Sequence, residues 1–153
     1  MYYISKSVPI KINFSDMARD LELNRDELPK YLEYLEKAEL VSVLRMQANG
    51  DAILRKMDKL YLQNSNMSYV LSGENPDTGN ARETIFYCWT KQKYDTVESP
   101  VSDFEIDGKT FEVGGRNKGK KQISNLEDAY VVKDTIEYVF DNQVPLWMFG
   151  FLY

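Results

Sequence analysis

Polar and apolar positions change their spacing several times along the chain, and each change predicts an element. Over residues 14–21, Met17, Ala18 and Leu21 share one helical face, with Ser15 placed to cap the first turn. Leu23-Asn24 interrupts that pattern. Leu28, Tyr31, Leu32, Leu35 and Ala38 then repeat every three or four residues, predicting an amphipathic helix over about residues 25–38 with Asn24 as its cap. Two apolar runs follow, 40–44 and 59–62, with the turn dipeptide Asn49-Gly50 between them. Helix, turn, helix and β-hairpin in that order predict a winged helix-turn-helix over residues 1–63.

A polar, turn-rich stretch at 72–80 separates this unit from the rest, which forms a second unit over residues 64–153. A short helix is expected at about 66–71. Another begins near Ala81, with Glu83, Phe86, Tyr87 and Thr90 on one face. From Val101 to Gly115 apolar and polar residues alternate, and Asp107-Gly108 is a favoured two-residue hairpin turn. This turn sets Ile106 opposite Lys109, Glu105 opposite Thr110, Phe104 opposite Phe111 and Asp103 opposite Glu112. One face is then apolar (Phe104, Ile106, Phe111, Val113) and the other carries Asp103, Glu105, Thr110 and Glu112. Strands are predicted at 129–132 and 144–153, with a short helix at 134–140 between them. The whole is an α+β chain whose second unit is a small mixed α/β sheet with flanking helices.

Opposed carboxylates with Cβ atoms about 4.5–5.5 Å apart repel each other. Asp103 and Glu112 therefore call for solvent, a basic neighbour or a cation, and Mg²⁺ bound through one or two carboxylates would suit them. An ordinary solvent-facing strand surface is the plainer alternative. The next nine residues, 114–122, hold Arg116, Lys118, Lys120 and Lys121 among three glycines. Such a loop suits a phosphate or nucleic-acid contact, or equally a solvated loop balancing the acids. Gly108-Lys109-Thr110 imitates the end of a phosphate-binding P-loop. The motif's first glycine would fall at Asp103, and the lysine sits in a hairpin rather than at a helix start, so this is not an ATP site.

Composition narrows the chemistry. The 153 residues are 43% apolar and 28% charged, with no histidine and a single cysteine, Cys88. Serine–histidine and cysteine–histidine catalysis, and zinc sites built on histidine or several cysteines, are excluded. The net charge of −5 argues against a globally basic nucleic-acid binder. The second predicted helix repeats the point. Arg25, Lys30 and Lys37 are outnumbered by Asp26, Glu27, Glu33, Glu36 and Glu39, which favours a structural or protein-docking wing over duplex contact. No apolar run spans a membrane and no signal peptide is legible at Met1, so a cytoplasmic protein is expected. Whether Met1 is a native start is left open by the residues.

Residues 14–18 and 28–41 resemble the winged-helix part of a large group of predicted bacterial and archaeal AAA-type ATPases. Residues 59–62, the helix start at 79–83, Asp103-Phe104 and Phe111-Glu112-Val113-Gly114-Gly115 resemble the C-terminal domain of the same proteins. That resemblance covers nearly the whole chain, and it implies a restriction-endonuclease-like fold for the second unit. Enzymes of that superfamily hold Mg²⁺ with an aspartate on one strand and Glu-x-Lys on the next, often with a glutamate from the preceding helix. Asp103, Glu112 and Glu83 match these carboxylates as catalytic residues, with Asp103 and Glu112 as the metal ligands. The lysine position is occupied by Gly114, from which Arg116 or Lys118 would have to substitute, so the resemblance leans away from an enzyme. No Walker motif is present. The resemblance therefore implies an accessory module of an AAA-type ATPase, with the ATPase domain as its partner and nucleic acid as a second candidate, without ATPase activity of its own. A Mg²⁺-dependent nuclease with a degenerate site and a winged-helix DNA-binding protein are the alternatives.

Overall fold

The structure is a computed structural model that describes residues 1–6, 8–46, 57–72, 77–116, 123 and 125–152. Its elements run α1 (Tyr2–Ser5), β1 (Ile10–Lys11), α2 (Phe14–Leu21), α3 (Leu28–Lys37), β2 (Val41–Arg45), β3 (Met57–Leu62), α4 (Asn66–Ser72), α5 (Thr78–Thr90), β4 (Val97–Glu98), β5 (Phe104–Ile106), β6 (Lys109–Gly114), β7 (Ala129–Lys133), β8 (Gln143–Pro145) and a 3₁₀ helix (Leu146–Phe151). The described residues are mixed α+β and form two sheets. None of the described helices is long and apolar enough to cross a membrane.

The helix starts differ from expectation. Asn13, not Ser15, caps α2, accepting from the amides of Ser15 and Asp16. Asn24 accepts from the Asp26 amide and so shapes a turn, and α3 begins only at Leu28 with Pro29 in its first turn. Proline there supplies a helical φ where its missing N–H is not needed. Helix α5 begins at Thr78, three residues earlier than predicted, because Asp77 caps it through the amide of Asn80. The Asn49-Gly50 turn lies outside the described residues.

Strands β1, β3 and β2 form an antiparallel sheet in that order. The apolar faces of α2 and α3 close over it with Met17, Ala18, Leu28 and Leu32 against Val41, Val43, Leu60 and Leu62. The second sheet has the order β4-β5-β6-β7-β8; β4, β5 and β6 are antiparallel, and β6, β7 and β8 run parallel. Asp107 and Gly108 both have positive φ, the backbone that a type I′ turn requires, and the hairpin register of Ile106, Glu105 and Phe104 is as expected.

A second core joins the sheets. Leu44 and Tyr61 of the first pack with Phe86 and Tyr87 of α5 and with Phe104, Phe111 and Val132 of the second. Polar braces accompany it: Tyr87 Oη donates to the Val43 carbonyl (2.8 Å), and Lys91 Nζ to Ser42 Oγ and Gln63 Oε1 (both 2.6 Å).

Two expectations about the last third fail. Residues 134–140 form bends that end in a bridge from Phe140 to Gln143, not a helix, leaving Tyr138 80% and Phe140 74% exposed. The run 144–153 is not one buried strand. Pro145 ends β8, the chain turns into the 3₁₀ helix, and Trp147, Met148 and Phe151 face outward.

Candidate functional site

The observed register of the hairpin ends at Phe104 and Phe111, so Asp103 and Glu112 are not a strand pair. Each is tied to the other's chain neighbour at the hairpin's open end, and Glu112 is not on a solvated surface. Strand pairing with β6 stops at Phe104, and Asp103 lies in the bend before it, so the next inward amide of β6 has no backbone partner. Asp103 supplies one: its Oδ2 accepts from the Val113 amide at 2.7 Å. Glu112 lies mid-strand, in register with Val131 of β7, and is 1% exposed. The hydroxyl of Ser102 donates to Glu112 Oε2, with the Phe111 carbonyl 3.2 Å away as its alternative acceptor. The residue before Asp103 thus serves Glu112, and Asp103 serves the residue after Glu112. This reciprocal brace locks the open end of the hairpin.

Burial of Glu112 corrects the expectation of a solvent-facing strand surface. Thr110 is buried as well and Glu105 is half-buried, because this side of the sheet has its own apolar cover, Ile123 packed on Ala129 and Val131.

Glu83, in the second turn of α5, accepts from Tyr61 Oη at 3.4 Å. Burial, with the charges of Glu83 and Asp103 beside it, pushes the Tyr61 hydroxyl far above its ordinary pKa, so it stays a neutral donor. Glu83 is thus engaged on Tyr61, Asp103 on the Val113 amide and Glu112 on Ser102. Among the described residues no group of three or more histidine, cysteine, aspartate or glutamate side chains is arranged to hold a metal ion. Arg116 is exposed just beyond β6; Lys118, Lys120 and Lys121 lie outside the described residues.

Ser102, Tyr61, Arg82 and Lys133 belong to this neighbourhood and are not among the residues the sequence singled out. Arg82 Nε donates to Asp134 at 2.6 Å, and its guanidinium lies over Gly115, where a Cβ would come within 3.0–3.2 Å of it. Glycine at 115 is what lets that arginine close over the end of β6. Lys133 of β7 is in register with Gly114, and Glu112 with Val131. Side chains alternate along strands and register partners share a face, so Lys133 belongs to the Glu112 face, beside the position where Glu-x-Lys would place its lysine. No local sequence signal announces a parallel pairing across a connection this long. Ser102 did have one, its place next to Asp103 at the hairpin's open end.

Away from this site, α1, α2 and α3 enclose an apolar groove of about 400 Å³ lined by Met17, Leu21, Leu28, Tyr31, Leu32 and Leu35 among others. Compared with family models, with curated proteins and with solved structures, the chain finds no match in any of the three.

Proposed function

We propose that the chain is a C-terminal accessory module of an AAA-type ATPase, a winged helix over residues 1–63 followed by a restriction-endonuclease-like α/β unit over 64–153. It works by docking or nucleic-acid sensing, in a cytoplasmic setting, without ATPase activity. The observation that carries this reading is the exposure of Tyr138, Val139, Phe140, Trp147, Met148 and Phe151 within one stretch that flanks β8. Large apolar side chains grouped on a surface mark a site for another protein. The would-be catalytic carboxylates support the same reading, since Asp103 and Glu112 are spent on internal hydrogen bonds.

The order α1-β1-α2-α3-β2-β3, closed by a three-stranded sheet, supports the winged helix. Its second long helix is poorly equipped for phosphate. Lys37 is tied to Glu33 at 2.7 Å and Lys30 lies over the Tyr34 ring, while Tyr31 and Tyr34 face solvent. That favours a protein partner over a duplex.

The test mixes the full chain with a separately expressed Walker-motif AAA-type ATPase module from the same source and measures association by calorimetry. Association is expected, and Trp147→Ser with Phe151→Ser is expected to weaken it by about tenfold or more while leaving the melting temperature near that of the parent. No association, or association untouched by both substitutions, overturns the proposal.

One observation favours a second reading, a nuclease with a degenerate site: the register of Lys133 with Gly114 on the Glu112 face. Under that reading plasmid or single-stranded DNA is cut when Mg²⁺ or Mn²⁺ is supplied. Asp103→Asn and Lys133→Ala each then lose about 10²–10⁴-fold in rate. Absence of cleavage by the parent chain rejects it.

A further inference from the structure

A pair of acids stands where the two sheets meet. Asp58, on β3, is 4% exposed, and its Oδ2 is buried with no hydrogen-bond donor among the described residues. Glu98, on β4, lies beside it, and the backbone of Glu98 bridges to Met46 immediately after β2. The pair therefore sits on the seam between the sheets. Among the described residues, two cations face it. Lys59 Nζ is 3.5 Å from Glu98 Oε1, and Lys11 Nζ, on a side chain 78% exposed, is 3.9 Å from Asp58 Oδ1. The backbone neighbours of Glu98 on its two sides, Met46 and Phe104, carry no charge.

An ionised carboxylate only accepts hydrogen bonds, so two ionised acids cannot satisfy each other; a protonated one can donate. The lysines reach Oδ1 of Asp58 and Oε1 of Glu98, and neither serves Asp58 Oδ2. A divalent cation would meet two ammonium groups already in place. A proton on Glu98 supplies the missing donor with no rearrangement of the backbone.

We propose that Asp58 and Glu98 share one proton, and that this proton fastens the seam between the two sheets, so that the seam weakens as pH rises. Burial, followed by the hydrogen bond and charge of Asp58, raises the Glu98 pKa above its ordinary value against the opposing pull of Lys59. The sign follows from linkage. A group whose pKa is raised by folding binds its proton more tightly in the folded state. Its stabilisation is complete below the unfolded pKa and is lost as pH rises through the folded one.

The experiment follows the Glu98 side-chain carboxyl carbon by NMR in the full chain, from pH about 4 to about 8, assigned with Glu98→Gln. The denaturant stability of the parent, Glu98→Gln and Asp58→Asn is measured over the same range. Glu98 is expected to titrate above the ordinary glutamate value of about 4.3. Relative to Glu98→Gln, the parent's folded-to-unfolded ratio is expected to fall about tenfold for each unit by which that pKa is raised. Asp58→Asn is expected to bring the Glu98 titration back towards the ordinary value. Titration of Glu98 at or below that value overturns the proposal, and so does a Glu98→Gln stability profile parallel to the parent's. The NMR titration of the parent decides even if a variant folds poorly.

Discussion

Phe86→Ala is expected to lower the free energy of unfolding by about 3–5 kcal/mol, the largest loss for any single truncation considered. The Phe86 ring is fully buried, with centroids of Phe149, Phe104 and Phe111 at 4.7, 5.1 and 5.5 Å. It therefore holds α5 to β5, β6 and the 3₁₀ helix at once. Phe104 in turn meets Tyr61 of the first sheet at 6.1 Å, so the cavity opens in a core that both sheets share. These rings lie on separate elements, and so many at once cannot close in on the missing side chain. Urea unfolding followed by tryptophan fluorescence and by far-UV dichroism checks this. Both signals should shift together to a lower midpoint. A loss below about 1 kcal/mol would mean that the cluster repacks freely and is not the joint between the sheets.

Glu36→Ala is the second large effect, about 2–3 kcal/mol at neutral pH. The Glu36 carboxylate reaches from α3 to β2, where it accepts from the Val43 amide at 3.1 Å and from Arg45 at 2.7 and 3.1 Å. Val43 is buried, so removing the acceptor strands an amide without water. The ion-pair share is discounted because Glu36 and Arg45 are each about a third exposed. Burial disfavours the charge on Glu36, but Arg45 and the Val43 amide outweigh it and hold its pKa below the ordinary value. A depressed carboxylate stabilises above its unfolded pKa and loses that contribution as pH falls through the folded one. The gap between parent and Glu36→Ala should therefore narrow on acidification. A gap that stays constant down to pH about 2 would assign the loss to helix packing alone.

What the sequence made legible was local. The Asp107-Gly108 turn fixes its own register because backbone with positive φ is encoded in two residues, and it opposed Phe104 to Phe111 correctly. The stripes of α2 and α3 are equally self-contained. Strands β1 and β4 were missed because two residues carry no period; their partners alone make them strands. At residues 134–140 the apolar side chains Ile136, Val139 and Phe140 have helical spacing, yet Val139 and Phe140 stand in solvent. The candidate site divides in the same way. Alternation and turn chemistry placed Asp103 near Glu112, but a glutamate on a strand face reads as exposed. Only the cover of Ile123, Ala129 and Val131, drawn from distant sequence, shows that it is sealed. Lys133 reaches the same face through a parallel pairing that leaves no mark in either strand alone.

The outer strands of the five-stranded sheet set a rule for how this molecule can meet others. On one side β4 is two residues long and its backbone is already bridged by Met46. On the other, β8 is three residues long and ends at Pro145, which has no N–H to offer, before the chain turns away into the 3₁₀ helix. Among the described residues, neither margin offers an extended row of free amides and carbonyls on which a foreign strand could template itself. Edge-to-edge stacking of copies through these two strands, the step that starts cross-β deposits, is thereby disfavoured. A companion that approaches this sheet must instead grip side chains, such as the aromatic rings displayed beside β8.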